Sequence, residues 1–197
     1  MRATLLAIVL FGASLLAQGA TPRRLQIEFT AEAPRFDAAT KEYQELWARE
    51  GARIVEAMER RTSLRFEPGP IRAVVYEGVS YSGYLERPMY MRASYPLATK
   101  QATLVHEIGH RLMGDLVPAN VEHHSVIFLF VYDVWVDLWG QPFADEQLAV
   151  ERKRTGQTDY NGLWNAALAF SAPERARRLA GVTEVLCYGA AVRVEAL

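Results

Sequence analysis

The sequence predicts an α+β fold, a small sheet packed on one central helix with further helices added C-terminally. Three observations carry this. Short runs rich in β-branched and aromatic residues at 25–29, 71–76 and 89–93 read as extended segments. A helical apolar period occupies 39–61 between the first two of them, and beyond residue 94 the dominant signal is helical.

The composition fits one globular domain of moderate size. The chain has 197 residues, 22 Lys or Arg against 23 Asp or Glu, a formal net charge of −1, and is 50% hydrophobic. That balance excludes a disordered polyelectrolyte and a protein that binds nucleic acid through a general basic surface. A single cysteine, Cys187, excludes an internal disulfide framework and reads as a buried apolar residue.

Residues 1–19 stand apart. Arg2 precedes an apolar run from Leu5 to Phe11, small residues follow at Ala17 and Gly19, and no acid occurs before Glu28. This is the pattern of a signal peptide cut between Gly19 and Ala20, which predicts an exported protein, periplasmic or extracellular, with residues 20–197 as its single domain. Left uncut, the segment would anchor the same domain to the outer face of a membrane. The apolar run is shorter than the roughly 20 residues that a span needs, so no integral membrane span is expected after cleavage.

The elements follow in order. In the helix over 39–61, Tyr43, Trp47, Ile54 and Met58 share a face and Gly51 weakens the middle without ending it. Pro68, Gly69 and Pro70 break the chain before the strand at 71–76. A loop bearing Tyr81 and Tyr84 leads to the segment 89–93 with Tyr90; tyrosines beside a site can donate a hydrogen bond to an oxyanion, though most simply pack. A helix capped by Ser94 or Thr99 runs to Gly114, and a second, apolar nearly all round and interrupted by Asp133 and Asp137, follows the Pro118-Ala119-Asn120 turn and ends at Gly140 and Pro142. Asp137 is expected in solvent or a structural pair. Helices over 144–154 and 161–170 and a last one opened by Ser171 and Glu174, with Gly181 after it, cover the core; 182–197 reads equally as a strand or a tail.

The chemistry lies on the helix that ends at Gly114. His106 and His110 stand one helical turn apart and can hold one metal ion between them. Glu107 sits beside that pair, the position of a carboxylate that takes a proton from water activated by the metal. A catalytic zinc needs a third protein ligand and an open fourth position. All four histidines, 106, 110, 123 and 124, fall within nineteen residues. A helix starting near Glu122 brings His124, His123 or Glu122 back against the first helix, and Asp133 lies further along it; coordination chemistry permits each of the four as third ligand.

His106-Glu107-Ile108-Gly109-His110, approached from strand to helix, resembles the zinc metallopeptidases of the zincin superfamily, in their small single-domain form. The metzincin pattern is absent, since it places glycine and histidine where this chain has Met113 and Leu116. The run from His106 to Val117 resembles gluzincins, whose third-ligand glutamate would fall near Leu129. His124-Ser125-Val126-Ile127-Phe128 is more similar to the SprT-like group, in which a ligating histidine is followed by a small residue and, three further on, an aromatic. The resemblance covers about residues 71–139. It implies a zincin-like fold, Zn²⁺ held by His106, His110 and His124, Glu107 as general base, hydrolysis of peptide or protein substrates, and substrate backbone pairing along 89–93. The rival expectation is a metal-stabilised binding or structural protein, in which a fourth ligand from Glu122 or His123 closes the site.

Overall fold

The computed structural model describes residues 25–83, 87–118 and 120–182. Residues 1–19, expected to be a signal peptide, Tyr84, Cys187 and the end of the chain beyond Val182 lie outside the described residues. The strands are Gln26–Ala31 (β1), Pro70–Tyr76 (β2) and Met89–Arg92 (β3). They form one parallel sheet in the order β1-β2-β3, with Phe29 beside Ala73 and Val75 beside Met91. Alternation of buried and exposed residues along β1 and β2 puts Ile27, Phe29, Ile71, Ala73 and Val75 on the core face.

Parallel strands need crossover connections. The first is Asp37–Thr62 (α1), which covers the sheet with Tyr43, Leu46, Ile54 and Met58 buried. The Tyr43 hydroxyl donates to the Arg92 carbonyl at 2.9 Å and the Gln44 amide to the Phe29 carbonyl at 3.1 Å, so α1 is tied to both β3 and β1. Gly51 is required where it sits: a Cβ there would lie 2.7 Å from the Trp47 ring, which folds over it. The second crossover contains no helix among its described residues. The chain leaving β2 returns along the outer edge of β3, where Tyr81 and Tyr90 exchange backbone hydrogen bonds of 3.0 and 2.9 Å in an antiparallel bridge.

Leu97–Met113 (α2) is the central helix, touching β3, α1 and three of the later helices. It starts after Pro96, without the side-chain cap expected from Ser94 or Thr99, and stops at Gly114, whose φ of 43° suits glycine. The predicted long second helix is two: His123–Ile127 (α3) and Val131–Trp139 (α4). Between them the turn tightens, with Leu129 N–H bonded to the Val126 carbonyl and Phe130 N–H to that of Ile127, each at 3.1 Å. Two aromatic anchors frame the break. Phe128 stacks on Trp164 at 3.7 Å between centroids, while the Phe130 ring comes within 3.4 Å of where a Cβ on Gly109 would stand.

Gln141–Glu151 (α5), Tyr160–Leu168 (α6) and a helix over 172–182 (α7) complete an α+β fold of seven helices and three strands among the described residues. The helical turns of α7 continue through Gly181 instead of stopping before it, and Glu174 pairs with Arg177 and Arg178. Asp137 binds Arg61 of α1, as a structural pair. Asp133 is buried on α4 and takes two hydrogen bonds from Arg175 of α7, at 2.9 and 2.6 Å. None of the described helices is long and apolar enough to cross a membrane.

The Asp133–Arg175 pair leads to a stability prediction. Arg175→Ala strands a buried carboxylate and costs about 3–5 kcal/mol, whereas replacing both residues with apolar ones of similar volume recovers most of the loss. Urea denaturation of the single and double variants checks this. Equal destabilisation by the two would show that the charges do not depend on each other.

Candidate metal centre

The spacing of His106 and His110 on α2 brings their rings onto one face, with centroids 5.1 Å apart. The chain then leaves α2 at Gly114, makes the Pro118 to Val121 turn, and enters α3, which returns His124 to the same place. Its ring lies 5.2 Å from that of His106 and 4.7 Å from that of His110. One nitrogen from each of the three imidazoles lies within 4.8 Å of the others, a spacing that can hold a metal ion. Among the described residues no fourth histidine, cysteine or acid joins that group.

The other sequence candidates occupy different positions. His123 is half-buried, its ring 5.7 Å from that of His110. Glu122 is the N-cap of α3: it accepts from the His124 backbone N–H at 3.2 Å and its Oε1 lies 2.6 Å from His124 Nδ1. It therefore orients His124 from the far side of the ring. Asp133 is taken by Arg175.

The donor set suits a borderline divalent cation such as zinc, because all its atoms are imidazole nitrogens. Two of its members are held neutral. Burial, reinforced by the neighbouring histidines, pushes His110 down to about 2, and burial with His106 close by pushes His124 down to about 4 against the partial opposition of Glu122. Glu107 is 3% exposed. Burial raises its carboxyl above the ordinary glutamate range, partly countered by His106 and Arg154. A carboxylate made more basic in this way is better matched to proton abstraction near neutral pH.

Three further residues line the site that sequence reasoning did not single out. The Tyr160 hydroxyl, at the start of α6, lies 3.1 Å from His124 Nε2. Glu151, the last residue of α5, is 2% exposed, and its Oε2 lies 3.3 Å from His106 Nδ1, too poorly aligned for a hydrogen bond. Arg154 places Nη2 2.6 Å from Glu151 Oε1 and 3.2 Å from Thr103 Oγ1 on α2. Burial works against Glu151 ionising, but His106 and Arg154 outweigh it and its carboxyl is lowered overall. The tyrosines noted in the sequence stand elsewhere: Tyr81 stacks on Tyr90 at 4.6 Å, and Tyr84 is outside the described residues.

The sheet edge differs from expectation. Tyr90 uses both outward backbone groups on Tyr81, while Arg92 receives at its carbonyl from Tyr43 and gives its N–H to Ser80 Oγ at 3.0 Å. Arg111, next to His110, fixes the returning chain by donating to the carbonyls of Ser82 at 2.7 Å and Arg87 at 2.6 Å. Residues 89–92 therefore have no free edge for a substrate strand.

A pH prediction follows from the imidazoles. His110 and His124 have folded values below the 6.5 of an ordinary histidine, so the unfolded chain takes up protons first as pH falls. Stability of the metal-free protein is fully present above about 6.5 and declines as pH drops toward the folded values. Melting curves should shift downward over that range, and less so in His124→Asn. A melting temperature that stays flat below about pH 6.5 would contradict neutral buried imidazoles.

No protein-family model, curated protein or solved structure matches this chain.

Proposed function

We propose that the protein is an exported, zincin-like, zinc-dependent peptidase that hydrolyses peptide bonds in peptide or protein substrates. The observation that carries the reading is the convergence of three histidines, 106, 110 and 124, to within 4.8 Å, with the buried Glu107 one residue from the first of them. The features of residues 1–19 support export.

His106, His110 and His124 would hold the zinc ion. When bound, zinc supplies Lewis acidity, which polarises the scissile carbonyl and acidifies water. Glu107 then takes the proton of the attacking water on its carboxylate and delivers it to the departing amine. Its desolvated surroundings favour that uptake, and Arg154 limits how far its basicity rises. Tyr160, half-buried, is protonated at neutral pH as tyrosines ordinarily are, and burial pushes it further up to about 12, so it keeps a hydrogen to donate toward the carbonyl oxygen as negative charge develops there.

A closed structural metal site, the alternative, requires a fourth ligand. Glu122 points at Nδ1 of His124, His123 lies outside the group of three with its ring 5.7 Å from that of His110, and Glu151 lies at Nδ1 of His106, which favours an open fourth position. The presence of Glu107 is a second argument for catalysis, because a purely structural centre has no use for a buried carboxylate next to its first ligand.

Two variants test the reading on purified protein loaded with Zn²⁺ and assayed on an unstructured protein substrate. Glu107→Gln should keep one zinc per chain and lose about 10²- to 10⁴-fold in hydrolysis. Tyr160→Phe should also keep zinc and lose about 10²- to 10³-fold in kcat with a smaller change in KM. His110→Ala should lose both metal and activity. Zinc binding with no hydrolysis of any protein or peptide substrate supports the structural alternative, and full activity in Glu107→Gln removes Glu107 from the mechanism.

A further inference from the structure

The sequence from Glu151 to Arg154 forms a small buried device that the metal ligands alone do not explain. Glu151 closes α5, and the chain turns immediately, with Arg154 N–H bonded to the Glu151 carbonyl at 3.0 Å. That turn folds the Arg154 side chain back over the carboxylate it follows. Glu151 Oε1 is 2.6 Å from Arg154 Nη2, while Oε2 faces His106 Nδ1 at 3.3 Å. Both the acid and the imidazole are almost completely enclosed, at 2% and 1% exposure.

Enclosing a carboxylate is costly unless it is compensated. Arg154 provides the countercharge at one oxygen, and the other is directed at the ring. The Arg154 guanidinium also donates to Thr103 on α2, one turn before His106, which locks the end of α5 to the ligand helix. His106 Nδ1 and Glu151 Oε2 are each buried without an aligned hydrogen-bond partner. A proton on Nδ1 would answer both groups across the 3.3 Å that separates them. Glu122 makes the corresponding approach to Nδ1 of His124 at 2.6 Å. Two of the three candidate ligands therefore have a carboxylate at the same ring nitrogen, with Nε2 on the opposite side of each ring, that of His124 facing the Tyr160 hydroxyl at 3.1 Å.

We propose that Glu151, held by Arg154, is the positioning residue of the metal centre: it fixes His106 as the Nδ1–H tautomer with Nε2 presented to the ion, and strengthens Zn²⁺ binding through that contact. The inference rests on the metal-binding reading of the triad. Carboxylate partners of this kind raise the basicity of a ligating imidazole and restrict its orientation, and their removal typically weakens metal binding by about 10- to 100-fold.

The test titrates the metal-free full chain with Zn²⁺ against a competing chromophoric chelator, for the unmutated protein and for Glu151→Gln and Glu151→Ala. Long-range ¹H–¹⁵N spectra of the histidine rings in the loaded proteins run alongside. Glu151→Gln preserves the shape of the side chain and keeps the comparison valid if Glu151→Ala fails to fold, and far-UV circular dichroism of each metal-free variant verifies folding. The expected result is a Kd raised about 10- to 100-fold in both folded variants at unchanged stoichiometry. With it, His106 shows a protonated Nδ1 in the unmutated protein and a weaker or lost Nδ1–H signal in Glu151→Gln. Folded Glu151→Gln with unchanged affinity and an unchanged His106 spectrum overturns the proposal and leaves the triad reading intact. Failure of the unmutated chain to bind zinc overturns both. Loss of the Nδ1–H signal without a change in Kd also overturns it, since the contact would then orient the ring with no effect on the ion.

Discussion

Everything at the candidate metal centre depends on α2 being buried on nearly all sides while carrying polar groups. A helix in that position must bring each imidazole and carboxylate into a medium that penalises charge, so the groups either stay neutral or acquire partners. His110 and His124 follow the first course and Glu151 with Arg154 the second. Glu107 lies between these cases, close enough to His106 and Arg154 for partial compensation but buried enough to be made more basic. The packing that positions the site thus also sets its chemistry.

That packing depends on small details. Gly109, inside the histidine motif, leaves room for Phe130, and the same approach interrupts the long apolar stretch into α3 and α4. A straight helix through residues 123–139 would direct Phe128 and Phe130 along one continuous spiral. The tightened turn sends Phe128 onto Trp164 and leaves its edge toward His106. Aromatic residues thereby form the floor under the imidazoles, and α6, which carries Trp164, is brought close enough for Tyr160 to reach His124.

Much of this was legible from residue patterns. The three strands, α1, the ligand helix and its end at Gly114 follow from alternation, periodicity and glycine placement, because those elements obey local rules. The His106, Glu107 and His110 spacing is likewise local. Gathering His124 with them required a turn of the right length, which the Pro118 region signalled but did not specify. Glu151, Arg154 and Tyr160 were illegible for a different reason. An acid followed three residues later by arginine is the ordinary mark of an exposed helix pair, and only tertiary packing shows that this one is enclosed. The break at Phe128 to Phe130 was hidden too, since an unbroken apolar run does not reveal where two aromatic anchors compete to direct the chain.

The return of the chain along β3 has a consequence beyond the site. A parallel strand at the margin of a sheet normally exposes a row of unmatched amides and carbonyls, which invite pairing with strands of other molecules. Here the backbone of Tyr81, the hydroxyls of Ser80 and Tyr43, and the Arg111 clamp occupy those groups or the chain that covers them. The side of the sheet nearest the candidate metal centre is consequently self-terminated: it offers neighbouring copies no template for extending the sheet, so this margin resists aggregation even when the protein is concentrated.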